Sequence, residues 1–191
     1  MHVESVYTWV SRVLNPYAFP FISLIVIEAV HGGDLALLIL GVIISSFLPA
    51  IIHLRWMRKG KTDEYVSEIK CRIKLSIMVC LSDLIFGLAL LAIREKMFAL
   101  VLLSYSATTF LIFVFTRFID KMSVHVSSSV TAAAIIFALA GHVAGLIMLA
   151  VTFVVAMSRY YLKAHTIAQL VEGFVFPIPL VYIVNLIVVN I

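Results

Sequence analysis

Residues 97–118 read MFALVLLSYSATTFLIFVFTRF, and Arg117 is their only charged side chain. At about 1.5 Å per residue such a helix is roughly 33 Å long, enough to cross the hydrocarbon layer of a bilayer. Runs of the same kind recur on both sides. Before it they occupy 16–31, 35–54 and 75–93; after it they occupy 124–141, 143–157 and 166–190. The first is short and carries Pro20 and Glu28. The whole chain of 191 residues is 63% hydrophobic and 13% charged, with mean hydropathy +1.15, far outside the usual soluble mix. The pattern predicts an all-α fold: a polytopic transmembrane helix bundle of six or seven spanning segments, one integral-membrane domain over 1–191.

Residues 3–14 place Val3, Val6, Tyr7, Val10, Val13 and Leu14 at helical spacing, with Tyr7 and Trp9 suited to headgroup level. This predicts an interfacial helix over 1–15, followed by the cap and first-turn proline Asn15-Pro16. Glu4 ahead of Arg12, and the lack of a small-residue cleavage site, set it apart from a secretory leader. Cys71 and Cys80 fit no metal or redox spacing and read as free thiols. Connections between runs are tight, as at His31-Gly32-Gly33-Asp34 and Gly141-His142. The one sizeable polar stretch is Arg55 to Lys74.

Two spans separate that stretch from Ser123-Val124-His125, and two more separate it from Ser158-Arg159. An even count returns a chain to the same face, so all three polar clusters and the N-terminus share one side. Of the fourteen Lys and Arg residues, only Arg94 and Lys96 fall on the other. The remaining twelve are Arg12, Arg55, Arg58, Lys59, Lys61, Lys70, Arg72, Lys74, Arg117, Lys121, Arg159 and Lys163. This partition argues against nucleic-acid binding despite a net charge of +4. Setting aside the five that could bind phosphate (Lys61, Lys70, Arg72, Lys121, Arg159) leaves seven against two. The positive-inside rule then predicts a cell-membrane protein with this face in the cytoplasm.

The clusters carry the chemistry. Ser158-Arg159 closes one span, and His165 opens the next five residues later. Arginine grips phosphoryl oxygens in a fork, and histidine can attack phosphorus or protonate a leaving oxygen. An arginine and a histidine capping two helices would give the same short pattern. Lys121-Met122-Ser123-Val124-His125 adds a second histidine at a helix start, where backbone N–H groups favour an anion. Neither an Asp/Glu cluster suited to magnesium nor a zinc spacing is present, and no cofactor is expected. Asp83, deep in a span, is either functional or a protonated acid bonded to a neighbouring helix. Pro177 and Pro179 are expected to kink the last segment, and Glu28 to reach toward the interface.

Over about residues 60–175 the chain resembles the type 2 phosphatidic acid phosphatase superfamily. That family carries Lys-x6-Arg-Pro, Pro-Ser-Gly-His and Ser-Arg-x5-His-x3-Asp. The third signature is matched by Ser158, Arg159 and His165, with Gln169 in place of Asp. The second is matched by Ser123 and His125, with Met122 and Val124 in place of Pro and Gly. Lys121-Met-Ser-Val-His125 and His165-Thr-Ile-Ala-Gln169 are similar to a divergent prokaryotic branch. Glu68-Ile69-Lys70-Cys71-Arg72 stands where the first signature belongs, without its spacing or proline.

The resemblance implies an integral-membrane phosphatase acting on a lipid phosphate or diphosphate, isoprenoid or glycerolipid. It implies His165 as nucleophile, forming a phosphohistidine, and His125 as general acid. Arg159, Lys121, Ser123, Ser158, Arg72 and Lys70 would hold the phosphoryl oxygens, with Lys61 a further candidate. Gln169, at i+4 from His165, would take the orienting place of the family aspartate, with Glu172 one turn deeper as a source of negative charge. No metal is implied. Two other readings remain open: a lipid phosphotransferase with an alcohol acceptor, and a non-enzymatic lipid-binding or transport protein that keeps an anion site.

Overall fold

The computed structural model describes residues 2–191, with side chains from Ser5 onward; Val3 and Glu4 lie outside the described side chains. Eight helices follow one another: α1 His2–Val13, α2 Ala18–His31, α3 Leu35–Arg58, α4 Ile69–Ala92, α5 Lys96–Phe118, α6 Val124–Leu139, α7 His142–Tyr161 and α8 Ile167–Asn190. Each apolar run of the sequence corresponds to one helix. Five (α3, α4, α5, α7, α8) are long and apolar enough to cross a membrane, and the count is six if α1 and α2, bent by 53° at their break, are taken as one span. The seventh run, α6, has 16 residues and is about 24 Å long.

The stretch that opened the reading, α5, is the centre of the bundle. Inside its apolar window 61% of residues are buried, against 22–33% for the other long helices. The outer helices turn Ile85, Val143 and Ile147 outward, each more than half exposed. Lipid tails can cover such side chains without cost.

Polar residues set the helix starts. Asp34 accepts from the N–H groups of Ala36 and Leu37, at 2.7 and 3.3 Å, and caps α3. Glu68 caps α4 by accepting from the Cys71 N–H at 2.8 Å. Helix α4 therefore begins at Ile69, six residues before its apolar run, and α3 continues to Arg58. The polar stretch at 55–74 shrinks to a loop at 59–68. Lys70, Arg72 and Lys74 stand on a helix instead, because capping and propensity carry a helix past its apolar part. Helix α8 breaks at Phe176, ahead of Pro177, as the prolines lead one to expect. Glu28 departs from expectation: it is half-buried, and its Oε2 has no partner among the described residues.

Two close approaches position the site. A Cβ on Gly173 would meet the Ser123 carbonyl oxygen at 3.0 Å and the Ser127 hydroxyl at 3.1 Å. The bare glycine lets α8 lie against the start of α6, where the Ser123 N–H donates to the Gln169 carbonyl at 3.2 Å. Helix α1 lies across the same end. Tyr7 stacks on Tyr161 of α7 at 4.6 Å, and Arg12 pairs with Glu64 at 2.7 Å.

Candidate functional site

Arg72, His125, Arg159 and His165 come from α4, α6, α7 and the α7–α8 turn. They line one cavity of about 480 Å³ at the end of the bundle that α1 covers. Counting spans puts these residues on one face, and the packing brings them to one cavity.

His165 is held by a capping box. The Thr166 hydroxyl accepts from the Gln169 N–H at 3.3 Å, and the Thr166 N–H donates back to Gln169 Oε1 at 3.2 Å. The same Oε1 lies 3.1 Å from His165 Nδ1. The other end of the amide is fixed as well: Nε2 donates to both carboxylate oxygens of Asp120, at 3.0 and 3.1 Å. A carboxylate accepts only, so the amide cannot be turned round. His165 must then donate from Nδ1, which leaves the lone pair on Nε2 free. Burial, then the charge of Arg72, pushes the imidazole down to about 4, so the ring is neutral near pH 7. It is the form a nucleophile needs.

The cations are arranged around it. Arg72 is buried and donates from Nε to Thr116 at 3.1 Å and from Nη2 to the Met122 carbonyl. Arg159 is 1% exposed. It donates from Nη1 to the Ser11 hydroxyl at 2.6 Å and lies 4.4 Å over the Tyr65 ring, with Nε lacking a partner. Among the described residues, no carboxylate lies within 4.0 Å of either guanidinium. Glu64 lines the same cavity but is paired with Arg12, and two buried guanidiniums with no carboxylate in contact are costly unless an anion joins them. Lys121 stands nearby, its amine lowered by burial and by Arg72.

The remaining expected ligands divide. Ser123 is buried near His125 and its hydroxyl oxygen lacks a partner among the described residues, but neither it nor Lys121 is in the cavity wall. Ser123 stands at the N-cap position without making the cap bond. The Ser158 hydroxyl donates to its own helix at Val155, at 2.8 Å, and is not in the cavity wall. Lys70 is exposed and also outside the wall. Glu172 does not reach the histidine relay; Asp120 takes that place, because Gln169 points its Nε2 back toward the loop before α6.

Sequence reasoning missed Asp120, Ser11 and Tyr65. Ser11 approaches His125 Nε2 at 3.5 Å as well as binding Arg159. Tyr65 precedes Val66, whose φ of 49° is unusual for a β-branched residue, and Val66 lines the cavity too. A carboxylate adjacent to Lys121 was visible in the sequence. Nothing linked it to a glutamine forty-nine positions away.

The apolar helices make the chain an integral membrane protein of the all-α class. No family model matches it, and no curated protein and no solved structure matches it either.

Proposed function

We propose that the chain is an integral-membrane phosphatase that hydrolyses a lipid phosphate or diphosphate through a phosphohistidine. One observation carries the reading: two buried guanidiniums with no carboxylate in contact among the described residues flank a cavity that also holds two histidines, one of them with Nδ1 tied to Gln169 and Nε2 free. Anion binding alone calls for the cations but not for the oriented imidazole.

In this reading the phosphoryl oxygens lie between Arg72 and Arg159, with Lys121 near. His165 Nε2 attacks phosphorus, and the bond from phosphorus to the leaving oxygen breaks. His125, which burial and the charge of Arg159 hold unprotonated in the free protein, takes up a proton as the phosphate anion binds beside it and gives it to that oxygen, so an alcohol departs. Water then attacks the phosphohistidine and gives its proton back to His125. The P–N bond breaks, and phosphate leaves with His165 restored. Such transfer needs placement and charge neutralisation above all. The Asp120–Gln169 pair fixes the tautomer, while Asp120 keeps its negative charge one residue removed from the ring. Release of phosphate from a panel of detergent-solubilised lipid phosphates, resistant to EDTA and lost in His165→Ala, tests the reading. Activity lost in EDTA and restored by magnesium would sink it.

The cavity face is placed in the cytoplasm of a cell-membrane protein on the charge count of seven against two. Substrate then comes from the inner leaflet. Labelling in intact cells with an impermeant thiol reagent checks this, in a background lacking Cys71 and Cys80. Lys59→Cys should be shielded and Val143→Cys should react. The opposite pattern reverses the orientation without touching the chemistry.

A further inference from the structure

The cavity does not stop at the phosphate cluster. Arg72, Ser76, Val79 and Asp83 line it along one stripe of α4. Eleven residues separate the first from the last, a rise on the order of 16 Å. At the inner end Asp83 is wholly buried. Its Oδ2 accepts from the Ser45 hydroxyl at 3.2 Å, and its Oδ1 is buried without a partner among the described residues. Ser45 stands in a π-helical turn, Ile43–Phe47, that interrupts α3. Such turns are rare and often found at functional sites. Tyr105 and Thr109 bring further hydroxyls to the same wall.

An acid at this depth with an open oxygen is expensive where no partner arrives. Beside it the Thr109 hydroxyl donates to the Tyr105 carbonyl at 2.7 Å and the Tyr105 hydroxyl lies 3.0 Å from Ser23 Oγ, so their oxygens keep room to accept. A methyl group could neither donate nor accept, and an ammonium group would carry a second charge out of water to this depth. A hydroxyl donates to Asp83 Oδ1 without bringing a charge with it. The volume, about 480 Å³, is in the range of small-molecule sites and suits one chain.

We propose that the inner end of the cavity, at Asp83 and Ser45, binds a hydroxyl group at the far end of a single-chain amphiphile whose phosphoryl group lies at the mouth. The substrate class is then a phosphate ester of a chain that carries a distal hydroxyl. This rests on the phosphatase reading for the word substrate, but the site itself is open to a binding test.

The test uses non-hydrolysable alkyl phosphonates of graded chain length, each ending in a hydroxyl, a methyl or an ammonium group. Binding to the detergent-solubilised full chain is read by thermal shift. At one chain length the hydroxyl-ended ligand should bind about tenfold tighter than the methyl-ended one, a difference of about 1.4 kcal/mol. Asp83→Leu should abolish or reverse that preference. Ser45→Ala, a milder change, should reduce it and serves where Asp83→Leu fails to fold. Equal binding of hydroxyl and methyl ends at every length overturns the proposal and leaves the phosphatase reading standing. Tighter binding of the ammonium end overturns it in favour of a counter-ion role for Asp83. If no lipid phosphate is hydrolysed but the hydroxyl preference holds and depends on Asp83, the site stands and the enzyme reading falls.

Discussion

Arg72 and Asp83 stand on one stripe of α4, both buried, both on the wall of one cavity, and they are treated differently. Arg72, near the helix start, donates to Thr116 and to the Met122 carbonyl. Asp83, in the middle of the span, has a single hydroxyl partner. The mouth gathers two buried guanidiniums, from α4 and α7, and holds one imidazole in a fixed tautomer. The base holds one acid among hydroxyls. The mouth is built for charge and chemistry, the base for recognition, and substitutions at the two ends should separate accordingly.

The largest expected effect is at the mouth. His165→Ala should lower turnover by about 10³-fold or more, since it removes the attacking atom. Phosphonate binding should stay within a few-fold of the parent, because both guanidiniums remain. A variant that loses binding together with turnover would mean that His165 holds the anion, and the division between chemistry and recognition would fail at its clearest point.

His125→Ala comes next and reads the leaving group. Loss should be about 10²–10³-fold on alkyl phosphates, whose leaving oxygen is basic and needs a proton. On aryl phosphates the loss should be much smaller. Equal losses on both would assign His125 to binding instead of proton transfer.

The two regions were unequally legible in the sequence. The seven apolar helices and their common polar end followed from run length and from counting spans, because hydropathy and parity are one-dimensional facts. His125, Arg159 and His165 converge as expected, with Arg72 beside them, whereas Lys121, expected at the same point, is not in the cavity wall. What stayed hidden depended on side-chain direction. Ser158 turns into its own helix, and Lys70 faces outward although Arg72, two residues on, faces in. Asp120 reaches Gln169 only because Gly173 lets α8 close on α6. Asp83 was visible as an anomaly, yet only the cavity joins it to the mouth.

The pH response of His165 has a definite sign. Burial and Arg72 hold the folded imidazole near 4, below the ordinary value of about 6.5. The folded state therefore binds fewer protons than the unfolded one between those values. Stability rises with pH through that window, is fully present above about 6.5, and is lost as pH falls toward 4. Thermal unfolding in detergent should show this slope, and His165→Ala should flatten part of it. An imidazole titration near 6.5 in the folded protein, seen by NMR, would remove the argument for a neutral nucleophile.

Asp120→Asn is expected to act more gently, at about tenfold in turnover, or about 1.4 kcal/mol. The carboxylate touches no reacting atom; it is a positioning residue. An asparagine can still accept from Gln169 through its own oxygen, but it can also donate, so the Gln169 amide is no longer forced to present Oε1 to His165. The loss should appear in kcat with little change in KM. Asp120→Ala should exceed Asp120→Asn. Equal losses in the two variants would point to the negative charge rather than to orientation.

The smallest effect tests what holds α1 over the mouth. Arg12 and Glu64 form an ion pair with side chains 62% and 33% exposed, and pairs so open to solvent contribute little. Arg12→Ala should therefore change turnover less than about fivefold, with a fall in salt sensitivity as its main signature. Ser11 is the opposite case. Its hydroxyl is buried, accepts from Arg159 at 2.6 Å and lies beside His125. Ser11→Ala frees an Arg159 N–H in a buried site, so it should cost more than Arg12→Ala in turnover while leaving the hydroxyl preference at Asp83 intact. If Arg12→Ala proves the more damaging of the two, the cover is fastened at its rim, and Ser11 belongs to packing rather than to the phosphate site.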